Sequence, residues 1–287
     1  MRDEVPRAAT GRRLAGRVAA ITGIARGQGR AHALRLAAEG ADIVGVDLCG
    51  PIDTVDYPMS TPADLAETVD AVEALGRRIV ARQGDVRDLD ALRAMTAEGV
   101  AAFGRLDFVV ANAGIMPIWG AAADTPQAWQ DSLDVLLTGV MHTIEATYPI
   151  LVEQGDGGAI VATGSMAGVQ PMVRTESGRT LGMLGYSAAK SALANLVQNY
   201  ASMLARHRIR VNVVHPTGVD TPMIRNDMVA ARFAAAEPDD LGSLVNAMPV
   251  AAVDAADIAA TVAWLCSPDA RFVTGSAIRV DAGASLR

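Results

Sequence analysis

The sequence predicts an α/β fold with a parallel sheet covered by helices on both faces. Three observations predict it. Apolar runs alternate with helical patterns from end to end of the 287 residues, as successive βαβ units require. About half the residues are apolar but few are aromatic, so the core is built from small aliphatic side chains packed helix on sheet. A glycine-rich turn joins the first apolar run to the first helical pattern, where parallel α/β sheets place a ligand.

Taken in order, Val18–Thr22 reads as a strand and 29–38 as a helix, stopped at Gly40. A second strand covers 43–47. Residues 65–75 are helical and 78–82 form a third strand. Residues 89–103 are helical and 106–111 form a fourth strand. One long helix spans 125–153, and 159–163 is a fifth strand. A helix over 186–206, a sixth strand at 210–214, a helix at 254–266 and a last strand at 276–280 complete the chain. Buried parallel strands and right-handed crossovers follow from that alternation. No repeat or interdomain linker is visible. Residues 14–287 read as one domain, and the polar, Arg-rich residues 1–13 as a flexible leader without the apolar core of a signal peptide. Three segments break the rhythm: 49–62, 170–185 and 216–248. Each follows a strand's C-terminal end, where long loops are functional. Residues 220–248 read as a lid.

Net charge is −7, which argues against a nucleic-acid partner. No run approaches about 18 consecutive apolar residues, so no membrane span is expected. Cys49 and Cys266 form neither a disulfide framework nor a zinc site, and a reducing cytoplasm suits them. His32, His142, His207 and His215 are scattered without ligand spacing. They read as surface or capping residues, and no metal is expected.

The turn Thr22-Gly23-Ile24-Ala25-Arg26-Gly27-Gln28-Gly29 allows backbone to approach a pyrophosphate, which the following helix N-terminus attracts. Its spacing departs from G-x-G-x-x-G. Asp47 ends the second strand, where a carboxylate accepts hydrogen bonds from both hydroxyls of an adenosine ribose. That carboxylate repels an extra ribose phosphate, and the following Leu48 and Cys49 bring no Arg to bind one. NAD is therefore expected over NADP. Asp85-Val86 and Asn112-Ala113-Gly114 follow the third and fourth strands and suit close passage of adenine and ribose.

The chain carries 24 Arg and one Lys, Lys190, four residues after Tyr186. On a helix those two positions share a face. A free tyrosine, with a pKa near 10, is a poor base. An adjacent ammonium favours the phenolate, so Tyr186 becomes a general base for an alcohol and a general acid for a ketone. Lys190 also suits the nicotinamide ribose. Ser165, after the fifth strand, has a hydroxyl suited to hold the substrate oxygen.

Together, Thr-Gly-x-x-x-Gly-x-Gly, Asn-Ala-Gly, the Ser and Tyr-x-x-x-Lys resemble the classical short-chain dehydrogenase/reductase family over about residues 16–284. The resemblance implies a doubly wound, Rossmann-type fold with a single seven-stranded parallel sheet, a nicotinamide cofactor and a homotetramer. A narrower likeness lies in Gly27-Gln28-Gly29-Arg30-Ala31-His32, in the insertion from Asp47 through Tyr57-Pro58-Met59, and in His215-Pro216-Thr217-Gly218-Val219 with Thr221-Pro222-Met223. These resemble the carveol dehydrogenase group, which overlaps the mycofactocin-coupled dehydrogenases of actinobacteria. That resemblance implies tightly held NAD, an external redox carrier and a hydrophobic secondary alcohol. It adds Pro216, Val219 and Thr221 to the cofactor contacts.

Two departures stand out. Leu136 replaces the Asn of the family's proton relay, so a water or backbone carbonyl takes over or turnover is impaired. Ser165 and Tyr186 lie 21 positions apart, wider than the family's spacing, and the extra 170–185 loop reshapes the substrate pocket with Met172, Arg174, Met183 and Leu184. Met223, Ile224, Met228 and Phe233 of the lid are placed to close over an apolar substrate. Two rival readings remain. A non-catalytic NAD-binding sensor or scaffold draws on Leu136. An NADPH-dependent 3-oxoacyl thioester reductase is opposed by Asp47.

Overall fold

Seven parallel strands form the central sheet, ordered across it as Ile79–Gln83, Asp42–Asp47, Val18–Thr22, Phe108–Ala111, Gly158–Thr163, Ile209–Pro216 and Ala277–Val280. The computed structural model describes residues 12–176, 178–235 and 245–286. The strands are β1 (Val18–Thr22), β2 (Asp42–Asp47), β3 (Ile79–Gln83), β4 (Phe108–Ala111), β5 (Gly158–Thr163), β6 (Ile209–Pro216) and β9 (Ala277–Val280). Every neighbouring pair is parallel. The chain winds outward from β1 to β3, returns to β4 and winds outward the other way. The switch between β1 and β4 opens a crevice at the strands' C-terminal ends, where such sheets bind ligands.

Alternation along each strand divides the core in two. Val18 and Ala20 face one cluster with Leu92, Ile144, Leu193 and Val197, while Ala19 and Ile21 face the other with Leu36, Val72, Ile258 and Val262. The first face is covered by α3 (Leu89–Phe103), α5 (Gly139–Gln154) and α6 (Leu181–Leu204), the second by α1 (Gly27–Ala38), α2 (Pro62–Ala74) and α8 (Ala255–Cys266). Each fully buried Leu or Ile contributes about 1.5–3 kcal/mol, so both helical layers are held by the sheet. Helix starts are capped by side chains. Thr61 and Asp64 form a capping box at α2, as do Asp254 and Asp257 at α8, and Asp88 caps α3.

The expected helix over 125–153 is three pieces in one run: α4 (Pro126–Leu133), a π-helical turn (Asp134–Thr138) and α5. By length and mean hydropathy of 1.4 the 29-residue run would cross a membrane, but half of its apolar window is buried within the molecule. It packs as a core helix against α3 and α6. Helix α6 begins at Leu181, five residues before the expected start, with Thr180 accepting from the Met183 N–H. Two short strands were not expected. β7 (Val219–Asp220) pairs with β8 (Val253–Asp254) and joins the two roots of the expected lid. Within that segment α7 (Asp227–Ala235) is helical. Residues 236–244 and the Phe233 side chain lie outside the described residues, as do residues 1–11 of the expected leader. Arg13, assigned to that leader, is tied to Glu39 through two 2.7 Å hydrogen bonds.

The histidine expectation needs correction. His32 and His215 are fully buried. Helix α1 packs its His32 face onto the sheet, and burial pushes that imidazole down to about 4, so it is neutral. His142 and His207 are half-buried. Both cysteines are free and buried. Among the described residues no cluster of His, Cys, Asp or Glu stands ready for a metal ion.

Candidate active site

The glycine turn after β1 is shaped by backbone contact. Gly23 adopts φ +69°, and a Cβ there would stand 2.7 Å from the Ala113 Cα. A Cβ on Gly29 would overlap the Gly23 carbonyl oxygen, so α1 starts directly against the turn. Arg30 and Thr68 brace it from behind, each donating to the Ala25 carbonyl at 2.8 Å. Replacing Gly29 by Ala forces backbone apart and is expected to cost about 3 kcal/mol, read as a lower urea midpoint. Nucleotide affinity should fall in parallel, measured by calorimetry.

The expected nucleotide residues come together. Gly23, Arg26, Gly27, Gln28, Gly29, Asp47, Leu48, Asp85, Val86, Asn112, Ala113, Gly114, Tyr186, Lys190 and Thr221 line one cavity. Pro216 and Val219 line an adjoining cavity instead, together with Ser165. Tyr186, Gln28, Gly164, Thr221 and Met223 border both.

Asp47 is nearly buried. One carboxylate oxygen accepts from the Ala25 N–H at 2.9 Å, the other from the Cys49 N–H at 3.1 Å and the Ser60 hydroxyl at 2.6 Å. A carboxylate has about four lone-pair sites, so it retains capacity for a ribose hydroxyl, and the rotatable Ser60 hydroxyl can make room for another. Ser60 was not foreseen. It belongs to a strap, residues 49–61, laid across the cavity. The strap is pinned by Thr54 donating to Asp131 at 2.6 Å, by the Met116 N–H donating to the Tyr57 hydroxyl at 3.1 Å, and by Arg26 donating to the Pro58 carbonyl.

At the other end Tyr186 and Lys190 share a face of α6, as their spacing predicts. The Lys190 Nζ lies 6.0 Å from the Tyr186 ring centroid and donates to the Thr163 carbonyl at 2.6 Å. Both side chains are buried. Burial raises the Tyr186 phenol, opposed by a hydrogen bond with the Ser165 side chain. Burial pushes the Lys190 ammonium down to about 7. The Ser165 hydroxyl accepts from the Ala167 N–H at 3.1 Å. Its backbone is held by His215, whose Nδ1 stands 2.7 Å from the Ser165 carbonyl oxygen. The same Nδ1 lies 3.3 Å from the Ser165 backbone nitrogen, so it donates to the carbonyl in one tautomer and accepts from the N–H in the other. Thr163 and His215 were therefore missed as supporting residues, although His215 stood in a quoted motif.

Leu136 is fully buried inside the π-helical turn and lines the nucleotide cavity. A Cβ on Gly114 would lie 3.2 Å from its Cδ2, so this leucine fills space beside the Asn-Ala-Gly turn.

The adjoining cavity is walled by Met116, Ile118, Trp119, Met166, Met172, Met223, Ile224 and Val229. Met172, Met223 and Ile224 were expected there. Met183 is instead buried in the core, Met228 packs against it, and Arg174 is exposed. The arrangement can hold an apolar molecule with its oxygen at Tyr186 and Ser165. A dinucleotide fits the other cavity on its backbone cradle, which no side chain at Gly23 or Gly29 could share, and on the lone-pair capacity that Asp47 retains.

A family model described as Enoyl-(Acyl carrier protein) reductase matches residues 23–285. The (-)-trans-carveol dehydrogenase of Rhodococcus erythropolis is 41% identical over 283 residues, covering 96% of this chain and 99% of that protein. The crystal structure of carveol dehydrogenase from Mycobacterium avium in complex with NAD superposes with a TM-score of 0.87 at 45% identity, over 97% of this chain and 100% of that one. A short chain dehydrogenase from Mycobacterium paratuberculosis bound to NAD gives a TM-score of 0.88, also at 45% identity, over 96% and 100% of the two chains. Sheet order, glycine cradle, Tyr-x-x-x-Lys helix and full-length similarity lead to one assignment: the chain belongs to the short-chain dehydrogenase/reductase family.

Proposed function

We propose that this oxidoreductase uses NAD to interconvert a hydrophobic secondary alcohol, of the size and character of a cyclic terpenoid such as carveol, and its ketone. The observation that carries the reading is the position of Tyr186. It stands where the cavity lined by the glycine turn and Asp47 meets a methionine-walled one, hydrogen-bonded to Ser165 and four residues from Lys190. Tyr186 takes the hydroxyl proton in oxidation and returns it in reduction. Ser165 orients the substrate oxygen. Lys190 supports the phenolate and holds the nicotinamide ribose. Bound NAD supplies the acceptor for the hydride leaving the carbinol carbon. Asp47 selects NAD over NADP, which weighs against the 3-oxoacyl thioester reductase reading.

The strap supports NAD that stays in place between turnovers. It borders the cavity and is tied down at Asp131, Met116 and Asp47, so lifting it breaks those bonds. An external redox carrier of the mycofactocin kind would then reoxidise the cofactor. Exposed Phe272 and Leu286, at 87% and 80%, suit the subunit contacts of a homotetramer. Two free buried cysteines suit the cytoplasm.

The test is a single-turnover spectrum. Protein purified without added cofactor is mixed with carveol and a panel of cyclic secondary alcohols. A reduced-nicotinamide band equal to the enzyme concentration is expected. Tight NAD with no band from any alcohol favours the sensor reading, in which Leu136 marks a lost relay.

A further inference from the structure

The strap and the apolar cavity meet at a hydrogen bond. Ile52, Tyr57, Met59 and Ser60 of the strap border the nucleotide cavity, and Met116 borders the methionine-walled one. The Met116 backbone N–H donates to the Tyr57 hydroxyl at 3.1 Å, and both residues are buried. Met116, Ile118 and Trp119 of the apolar wall lie on the segment between β4 and α4, which forms neither helix nor strand. The shape of that loop therefore follows from what its backbone is tied to. On one side the start of α6 holds it: the Thr180 hydroxyl donates to the Ile118 carbonyl at 3.0 Å, and the Gly182 N–H to the Ala123 carbonyl at 2.8 Å. On the other side the strap holds it, through Tyr57 and through Asp56. The Asp56 carboxylate packs so closely on Gly120 that a Cβ there would overlap it.

A buried backbone N–H without a partner is costly. Without the Tyr57 hydroxyl, the Met116 backbone must shift toward another acceptor or toward water, and the wall shifts with it. Apolar walls are close-packed, so a small shift changes which shapes fit. We propose that Tyr57, a residue of the nucleotide strap, is a specificity-determining positioning residue for the alcohol: it holds the Met116 wall where a bulky cyclic substrate fits. The same bond makes the two cavities reciprocal. A ligand pressed on the Met116 wall stabilises the strap, and a lifted strap loosens the wall. This rests on the NAD-dehydrogenase reading and deepens it by naming what sets the substrate's size.

Tyr57→Phe keeps the buried ring and removes the acceptor. Thr54→Val cuts the strap's bond to Asp131 and leaves the bond to Met116. Wild type and both variants are loaded with saturating NAD, and single-turnover oxidation of carveol and of 2-butanol is followed over a range of alcohol concentrations. Tyr57→Phe should raise the half-saturating carveol concentration by about tenfold, with the maximal rate and the 2-butanol values within about twofold of the wild type. Thr54→Val should release NAD faster on dilution and keep the carveol preference. An unchanged carveol preference in Tyr57→Phe overturns the proposal. So does an equal loss in Thr54→Val, which gives the effect to the strap as a whole. A second measurement needs neither variant nor turnover. Limonene, the carveol skeleton without its hydroxyl, should slow NAD loss from the wild type by about fivefold. No slowing overturns the proposal even if Tyr57→Phe fails to fold. A wild type that binds NAD but oxidises neither alcohol would overturn the dehydrogenase reading, and the limonene measurement would then decide the Tyr57 link by itself.

Discussion

Tyr186→Phe is expected to lower single-turnover alcohol oxidation by about a thousandfold while leaving NAD affinity nearly unchanged. The phenol oxygen is the proton acceptor in the proposed reaction, and the ring is otherwise part of the core. Phenylalanine keeps that packing and removes only the reacting atom. The pH dependence follows from the same group. Burial raises the Tyr186 phenol above its ordinary value, with the Ser165 hydrogen bond pulling the other way. Oxidation needs the phenolate, which is scarce below that raised value. Its rate should therefore climb about tenfold per pH unit from neutrality upward until the phenol titrates. Ketone reduction needs the protonated phenol and should fall where oxidation levels off. Lys190 opposes the climb in part, because an ammonium pushed down to about 7 loses its charge as pH rises and then supports the phenolate less. A Phe variant with near-normal single-turnover rate would remove Tyr186 from the chemistry.

What the sequence made legible has a physical pattern. The seven strands are short and buried on both faces, so they read directly as apolar runs. Tyr186 and Lys190 could be paired because helix periodicity alone places them together. Helix α6 extends back past its expected start through Gly182 and Gly185, residues of low helix propensity. A Cβ on Gly182 would overlap the Pro117 carbonyl, and one on Gly185 would stand 2.9 Å from the Trp129 carbonyl. Those glycines admit the neighbouring backbone and do not end the helix. The π-helical turn at Leu136 carries no signal of its own, since one residue added to a helical turn disturbs the apolar pattern little. Ser60, Thr163 and His215 were hidden for another reason. Each acts through a partner 13 to 50 positions away, and such partners meet only once the sheet is assembled.

Asp47→Asn is expected to erode the choice between NAD and NADP by about a hundredfold. Hydrogen bonds to a charged group are worth about 1.5–3 kcal/mol, and the ribose hydroxyls lose that charge. NAD binding should weaken by about tenfold or more. NADP should gain over the wild type, because the 2′-phosphate no longer meets a carboxylate in a site with low exposure. The same substitution has a structural cost that must be read separately. Asp47 accepts from Ala25, Cys49 and Ser60, and an Asn amide nitrogen cannot accept. At least one of these donors is left unpaired, which costs about 1–3 kcal/mol and loosens either the glycine turn or the strap. Urea unfolding without nucleotide measures that loss. Paired calorimetric titrations with NAD and NADP then isolate the selectivity, since a loosened strap weakens both nucleotides while the lost charge acts on them in opposite directions. Ser60→Ala separates the two further: it removes a strap bond but keeps the carboxylate, so NAD should leave faster on dilution while its preference over NADP persists. Equal affinity of the wild type for both nucleotides would show that Asp47 does not select the cofactor, and the carboxylate would then serve the strap alone.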